Sequence, residues 1–106
     1  MKGDIVYITF PFTDLTGTKL RPALVIKELN QDIVVHFITS KLHQFDASID
    51  LIVQPDSQNG LKKPSVFKVT KLVCLNKKLI RTKIGVLDSN NLANVHQKII
   101  SGLSLI

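Results

Sequence analysis

The sequence predicts a mainly β fold of the α+β class, a small antiparallel β-barrel with one C-terminal amphipathic helix against it. Three observations carry this. Five to seven short runs rich in β-branched and aromatic residues follow one another, separated by Gly, Pro, Asn and Asp. Only in the tail does the apolar spacing change from two residues to the helical repeat of about 3.6. A length of 106 residues with 44% apolar content gives one core, and so a single domain over residues 1–106.

The elements follow in order. Asp4 to Phe10 alternates Ile5, Tyr7 and Thr9 against Val6, Ile8 and Phe10, the pattern of a strand, and Gly3-Asp4 ahead of it signals a turn. After a polar loop, Pro22 to Ile26 is a nearly continuous apolar run, as in a strand buried on both faces. Pro22 at its first position costs little, because no ladder donor is needed there. Leu29 to Asp32 supplies a turn and Ile33 to Thr39 a third strand. Ser48 to Gln54 predicts a fourth, with Ile49, Leu51 and Val53 alternating with Ser48, Asp50 and Ile52. Pro55 to Gly60 is a dense loop signal, followed by Lys62-Lys63-Pro64. Ser65–Val69 and Leu72–Leu75 read as two short strands and Asn76–Lys78 as a turn. Ile80–Leu87 reads as a last strand, with Gly85 marking a bulge or bend. From Asp88 or Ser89, both good N-caps, Leu92, Val95, Ile99, Ile100 and Leu103 form one helical face.

Composition narrows the function. Fourteen Lys and Arg against eight Asp and Glu give a formal charge of +6, which suits an anionic partner. No acidic residue lies between Asp56 and Asp88, yet that interval holds Lys62, Lys63, Lys68, Lys71, Lys77, Lys78, Arg81 and Lys83. Local carboxylates therefore cannot cancel its potential, and a phosphate-tracking surface is expected there. No apolar run reaches the roughly 18 residues that span a bilayer, so no membrane role is expected. The start, MKGDIVYITF, lacks the pattern of a signal peptide, which makes cytoplasm the expected location. Cys74 is the sole cysteine and reads as a small buried apolar residue. His36, His43 and His96 lie far apart without carboxylates at ligand spacing, so neither metal nor cofactor is expected. His36, inside an apolar strand, reads as structural, and His43 is the histidine to test for acid–base work.

Three places offer chemistry. Residues 10–26, FPFTDLTGTKLRPALVI, hold a polar loop longer than the two to five or so residues a hairpin needs. The loop ends in Arg21, whose planar fork grips a phosphate at two oxygens. Pro22 narrows the backbone of Arg21 to extended conformations. Thr39 and Ser40 close the run VVHFITS, where hydroxyls at a strand end can donate to a phosphate. Ser65 is a further hydroxyl, directly after two lysines and a proline.

These residues resemble the MazF/PemK family of type II toxin–antitoxin toxins over essentially the whole length. The resemblance rests on GDIVYITFPF, TKLRPALVI, VVHFITSKL, KKPSVFKV and IGVLDSNNLANVHQKI, with FPFTDLTG pointing to the PemK-like branch. It implies an SH3-like barrel with a C-terminal helix, a homodimer, and a metal-independent endoribonuclease cutting single-stranded RNA at short motifs. It also implies a cognate acidic antitoxin occupying the RNA groove, and DNA contact made only through the toxin–antitoxin complex. Carried over by position, Arg21 and Thr39 are the catalytic pair. Ser40, Ser65, Lys71, Lys19, Phe12 and Asp14 are the RNA-contacting candidates: Ser65 for positioning, Lys71 for phosphate, Phe12 for base stacking and Asp14 for loop shape. The polar loop then reads as a flap over the groove. One departure stands out. Where some members carry an acid–arginine pair after the serine, VTKLVCLNK offers Thr70 and Lys71 and no carboxylate. The alternatives are a non-catalytic nucleic-acid- or gyrase-binding toxin of the same fold, or a degenerate member that binds antitoxin without cutting.

Overall fold

Alternation along the chain becomes a single sheet with a core on each face. The computed structural model describes residues 1–10 and 19–105. Its strands are β1 (Asp4–Phe10), β2 (Lys19–Glu28), β3 (Asp32–Thr39), β4 (Leu51–Val53), β5 (Ser65–Asn76) and β6 (Ile80–Val86), followed by helix α1 (Ser89–Gly102). The strands pair antiparallel in the order β4-β5-β3-β2-β1-β6.

Neighbouring residues divide between two cores. Ile5, Leu24, Ile38, Val53, Phe67, Val69, Leu87 and Val95 form one, closed by Leu92 and Ile99 of α1. Val6, Ile8, Ala23, Val25, Ile33, Val35 and Leu75 form the other. The unbroken apolar run 22–26 follows from this, since Ala23 and Val25 face one core and Leu24 the other.

Several elements differ in extent from the sequence pattern. The expected strands Ser65–Val69 and Leu72–Leu75 are halves of one strand. The β3–β5 register breaks between His36 and Ile38, so the first half pairs near Thr39 and the second with Asp32 to His36. The fourth strand is shorter than expected. The Asp46 side chain accepts from the Ser48 amide (3.0 Å) and hydroxyl (2.6 Å), and its carbonyl from the Ile49 and Asp50 amides, so Ser48–Asp50 turn instead of extending. The bulge expected beside Gly85 is present: Ile5 pairs with Gly85, but Val6 pairs with Lys83. Asp88 caps α1 by accepting from the Asn91 amide at 3.0 Å. Leu103 is 42% exposed at the helix C-cap, so the packed helical face ends about one turn earlier than its spacing suggests.

The sheet is curled but not closed into a barrel. Its outer strands are β4 and β6, and the segment after β4 fills the seam between them. The Val86 amide donates to the Gln58 carbonyl at 2.8 Å. Gly60, at φ +72°, approaches β6 so closely that a Cβ would stand 2.0 Å from the Ile84 carbonyl oxygen. Only glycine fits both that conformation and that gap.

Two side chains overturn or sharpen their sequence reading. Cys74 is exposed rather than buried, because Val73 and Leu75 turn toward the second core and alternation sends Cys74 outward. His36 is fully buried, edge-on to Phe67 with ring centroids 5.6 Å apart, and neither ring nitrogen has a hydrogen-bond partner among the described residues. Burial holds its pKa down at about 4, against a smaller upward pull from Asp50. Asp50 is itself 1% exposed and paired with Lys68 at 2.6 Å.

Candidate functional site

A cavity of about 400 Å³ opens where the ends of β2, β3 and β5 meet. Strand register brings its residues together. Thr39 pairs with Val66, so Ser65 at the start of β5 lies beside Ser40. Ala23 pairs with Phe37, and the same register carried two residues further sets Arg21 level with Thr39. Arg21, Thr39, Ser40 and Ser65 accordingly line one cavity, with Tyr7 of β1, Ile84 of β6 and the segment Gly60–Lys63. Four residues spread over 45 positions of sequence are thus held side by side by three strands.

The two hydroxyls are in different states. Thr39 Oγ1 accepts from the Lys41 amide at 3.1 Å. Its own hydrogen is then left to donate, which suits a phosphate oxygen in the cavity. Ser65 is 5% exposed, and its hydroxyl donates to the Lys63 carbonyl at 2.8 Å. That proton is committed to holding the turn before β5.

The electrostatics are sharper than the sequence pattern. In space the acid-free interval is not acid-free: Lys68 pairs with Asp50 (2.6 Å), Lys77 with Glu28 (2.8 Å) and Lys83 with Asp4 (3.3 Å). The expectation that carboxylates leave this stretch uncancelled is therefore corrected, because acids distant in sequence fold back onto it. At the cavity it holds locally. Arg21, Lys62 and Lys63 line it, and no carboxylate or imidazole does so among the described residues. Three cations facing a concave wall favour a polyanion. No group of three or more His, Cys, Asp or Glu able to hold a metal occurs among the described residues.

Other candidates lie elsewhere. Lys19 is exposed at the start of β2, outside the cavity lining. Lys71 is exposed on the far half of bent β5, also outside it. Phe12 and Asp14, with the polar loop around them, lie outside the described residues. His43 is exposed in a short 3-10 turn, Leu42–Gln44, away from the lining. Tyr7, Lys62 and Lys63 join the site without having been singled out. A signal for Tyr7 existed in its alternation with Ile5, and one for the lysines in their place just before Pro64 and Ser65.

The sequence model of the PemK-like, MazF-like toxins of type II toxin–antitoxin systems matches residues 1–103. The chain belongs to this family. Solved structures agree on the fold of this PemK-like chain. The Mycobacterium tuberculosis toxin MazF-mt6 is 18% identical, with a TM-score of 0.76 over 95% of this chain and 96% of its own. A mycobacterial endoribonuclease in complex with its cognate antitoxin is 13% identical, with a TM-score of 0.80 over 100% and 96% of the two chains. MazE–MazF from Deinococcus radiodurans is 20% identical, with a TM-score of 0.77 over 99% and 96%. A search of curated protein sequences found no match. The open six-stranded sheet with one C-terminal helix is thus the MazF-like fold. No helix among the described residues is long and apolar enough to cross a membrane.

Proposed function

We propose that this PemK-like chain is an endoribonuclease toxin that cuts single-stranded RNA without a metal and is neutralised by a cognate acidic antitoxin. The observation carrying this reading is one cavity that gathers Arg21, a donor-ready Thr39 and the two lysines Lys62 and Lys63 on one wall. RNA contains its own nucleophile, the 2′-hydroxyl. The protein need only align the strand and stabilise charge on the phosphoryl oxygens. Arg21 does this with a guanidinium fork and Thr39 with its hydroxyl. Lys62 and Lys63 add positive charge along the same wall, where the RNA backbone would lie. An acidic antitoxin segment would compete for the same cations, and family relatives described with their antitoxins support that partner. The reading includes a homodimer working in the cytoplasm.

The test is to incubate purified protein with a long RNA in EDTA and map the ends. Cuts at a recurring short motif, leaving 2′,3′-cyclic phosphates, are expected. Intact RNA, or cutting that returns only with a divalent metal, refutes the reading. Intact RNA together with tight antitoxin binding would instead identify a non-cutting member.

A further inference from the structure

Cleavage by the 2′-hydroxyl requires two proton movements, and the described lining of the cavity offers none of the usual carriers. The 2′-oxygen must lose a proton, and the departing 5′-oxygen must gain one. Among the described residues the lining holds no carboxylate and no imidazole. A guanidinium keeps its protons too firmly to serve, and an alcohol is a weak acid. An ammonium releases a proton far more readily than a guanidinium. The candidates are therefore Tyr7, Lys62 and Lys63.

Tyr7 is fixed in β1 between β2 and β6, and of the two lysines Lys63 is set apart by how its backbone is held. The Ser65 hydroxyl, 5% exposed, donates to the Lys63 carbonyl at 2.8 Å. Pro64 confines Lys63 to extended backbone conformations. The next residues enter β5, where Val66 pairs with Thr39 itself. Lys63 is thus tied by a two-residue link to the strand register that places Thr39. No such tie holds Lys62 among the described residues. Preorganisation of this kind distinguishes a proton donor from a lysine that merely screens charge.

Resting on the endoribonuclease reading above, we propose that the Lys63 ammonium protonates the departing 5′-oxygen and that Ser65 is its positioning residue. The 2′-oxygen forms a bond to phosphorus as the bond from phosphorus to the 5′-oxygen breaks. Lys63 gives one proton to that oxygen, yielding a 2′,3′-cyclic phosphate and a 5′-hydroxyl. The proton of the 2′-hydroxyl passes to solvent water or hydroxide. Lys63, left neutral, takes a proton back from water.

The test compares two oligoribonucleotides spanning a mapped cut, one natural and one with sulfur in place of the bridging 5′-oxygen. A thiolate leaves without needing a proton. Under single turnover, Lys63→Ala is expected to slow the natural substrate by on the order of 10² to 10⁴, the usual worth of general acid catalysis. The sulfur substrate should be cut by the variant about as fast as by wild type. Ser65→Ala should show the same preference in weaker form, which a purely structural role would not produce. Equal slowing on both substrates overturns the proposal and leaves Lys63 as a phosphate contact; no slowing removes it from the chemistry. If the wild type cuts neither substrate, the endoribonuclease reading itself fails and this proposal falls with it. Circular dichroism of each variant separates these results from unfolding.

Discussion

His36 makes the protein's stability fall with acid in a defined window. Its imidazole lies fully buried, and desolvation holds its pKa at about 4 against an ordinary 6.5. Each tenfold difference in proton affinity is worth about 1.36 kcal/mol. The full effect is then about 3 kcal/mol, roughly 2 of which are gone by pH 5. The sign follows from which state takes the proton. As pH drops through 6.5 the unfolded chain gains it, while the folded chain stays neutral until about 4, so stability is complete above the upper value and lost between the two. His96, also lowered by desolvation and then by Lys2, is half-exposed and adds little in the same direction. Glu28, Asp46 and Asp88 are lowered by hydrogen bonds from Lys77, Ser48 and Asn91. They lose their contribution only below their ordinary carboxylate values, which lie under the pH 5.0 of the test. Urea unfolding at pH 7.5 and pH 5.0, on wild type and His36→Leu, checks this. The wild type should lose about 2 kcal/mol more than the variant between the two conditions. At pH 7.5 the variant should be no less stable, since two unpartnered ring nitrogens are removed from the core. Equal losses in the two proteins would falsify the assignment.

Three further outcomes follow from single side chains. Arg21→Ala should lower RNA cleavage by on the order of 10² to 10³ while the variant still gives the circular dichroism spectrum of the folded protein, because Arg21 stands exposed at a strand end outside both cores. Thr39→Val should lose most activity and Thr39→Ser should keep it, since only the hydroxyl is used; equal rates for the two variants would rule out the donor role. Lys68→Met should destabilise by about 3 to 5 kcal/mol in chemical denaturation, as it leaves Asp50, 1% exposed, without its charge partner. Asp50→Asn should cost less, because Lys68 at 15% exposure can turn toward water; the reverse order would contradict this account.

Much of the fold was legible locally. A strand's two-residue period and the Asp88 cap are short-range properties, so β1, β2, β3, β6 and α1 stand close to where their patterns put them. Of the site, Arg21, Thr39, Ser40 and Ser65 were each visible as strand-end residues, and they share one cavity. Tyr7, Lys62 and Lys63 were not singled out, because a residue's membership in a cavity depends on which distant segment faces it.

The sequence by itself determined the strand pattern, the helix and its cap, the excess of positive charge, and the family. Tertiary structure decided the rest, because pairing between remote residues depends on register. The expected strands 65–69 and 72–75 run on as one β5, bent where its register with β3 breaks between His36 and Ile38, and Lys71 lies outside the cavity lining. Alternation along that strand exposed Cys74. Folding brought Asp50, Glu28 and Asp4 onto three lysines that have no acidic neighbours in sequence, leaving the cavity beside Arg21 with lysines unmatched by any described carboxylate. Charge composition is a sum over residues, whereas a site is a matter of which charges remain unpaired at one place, and only the packed sheet settles that.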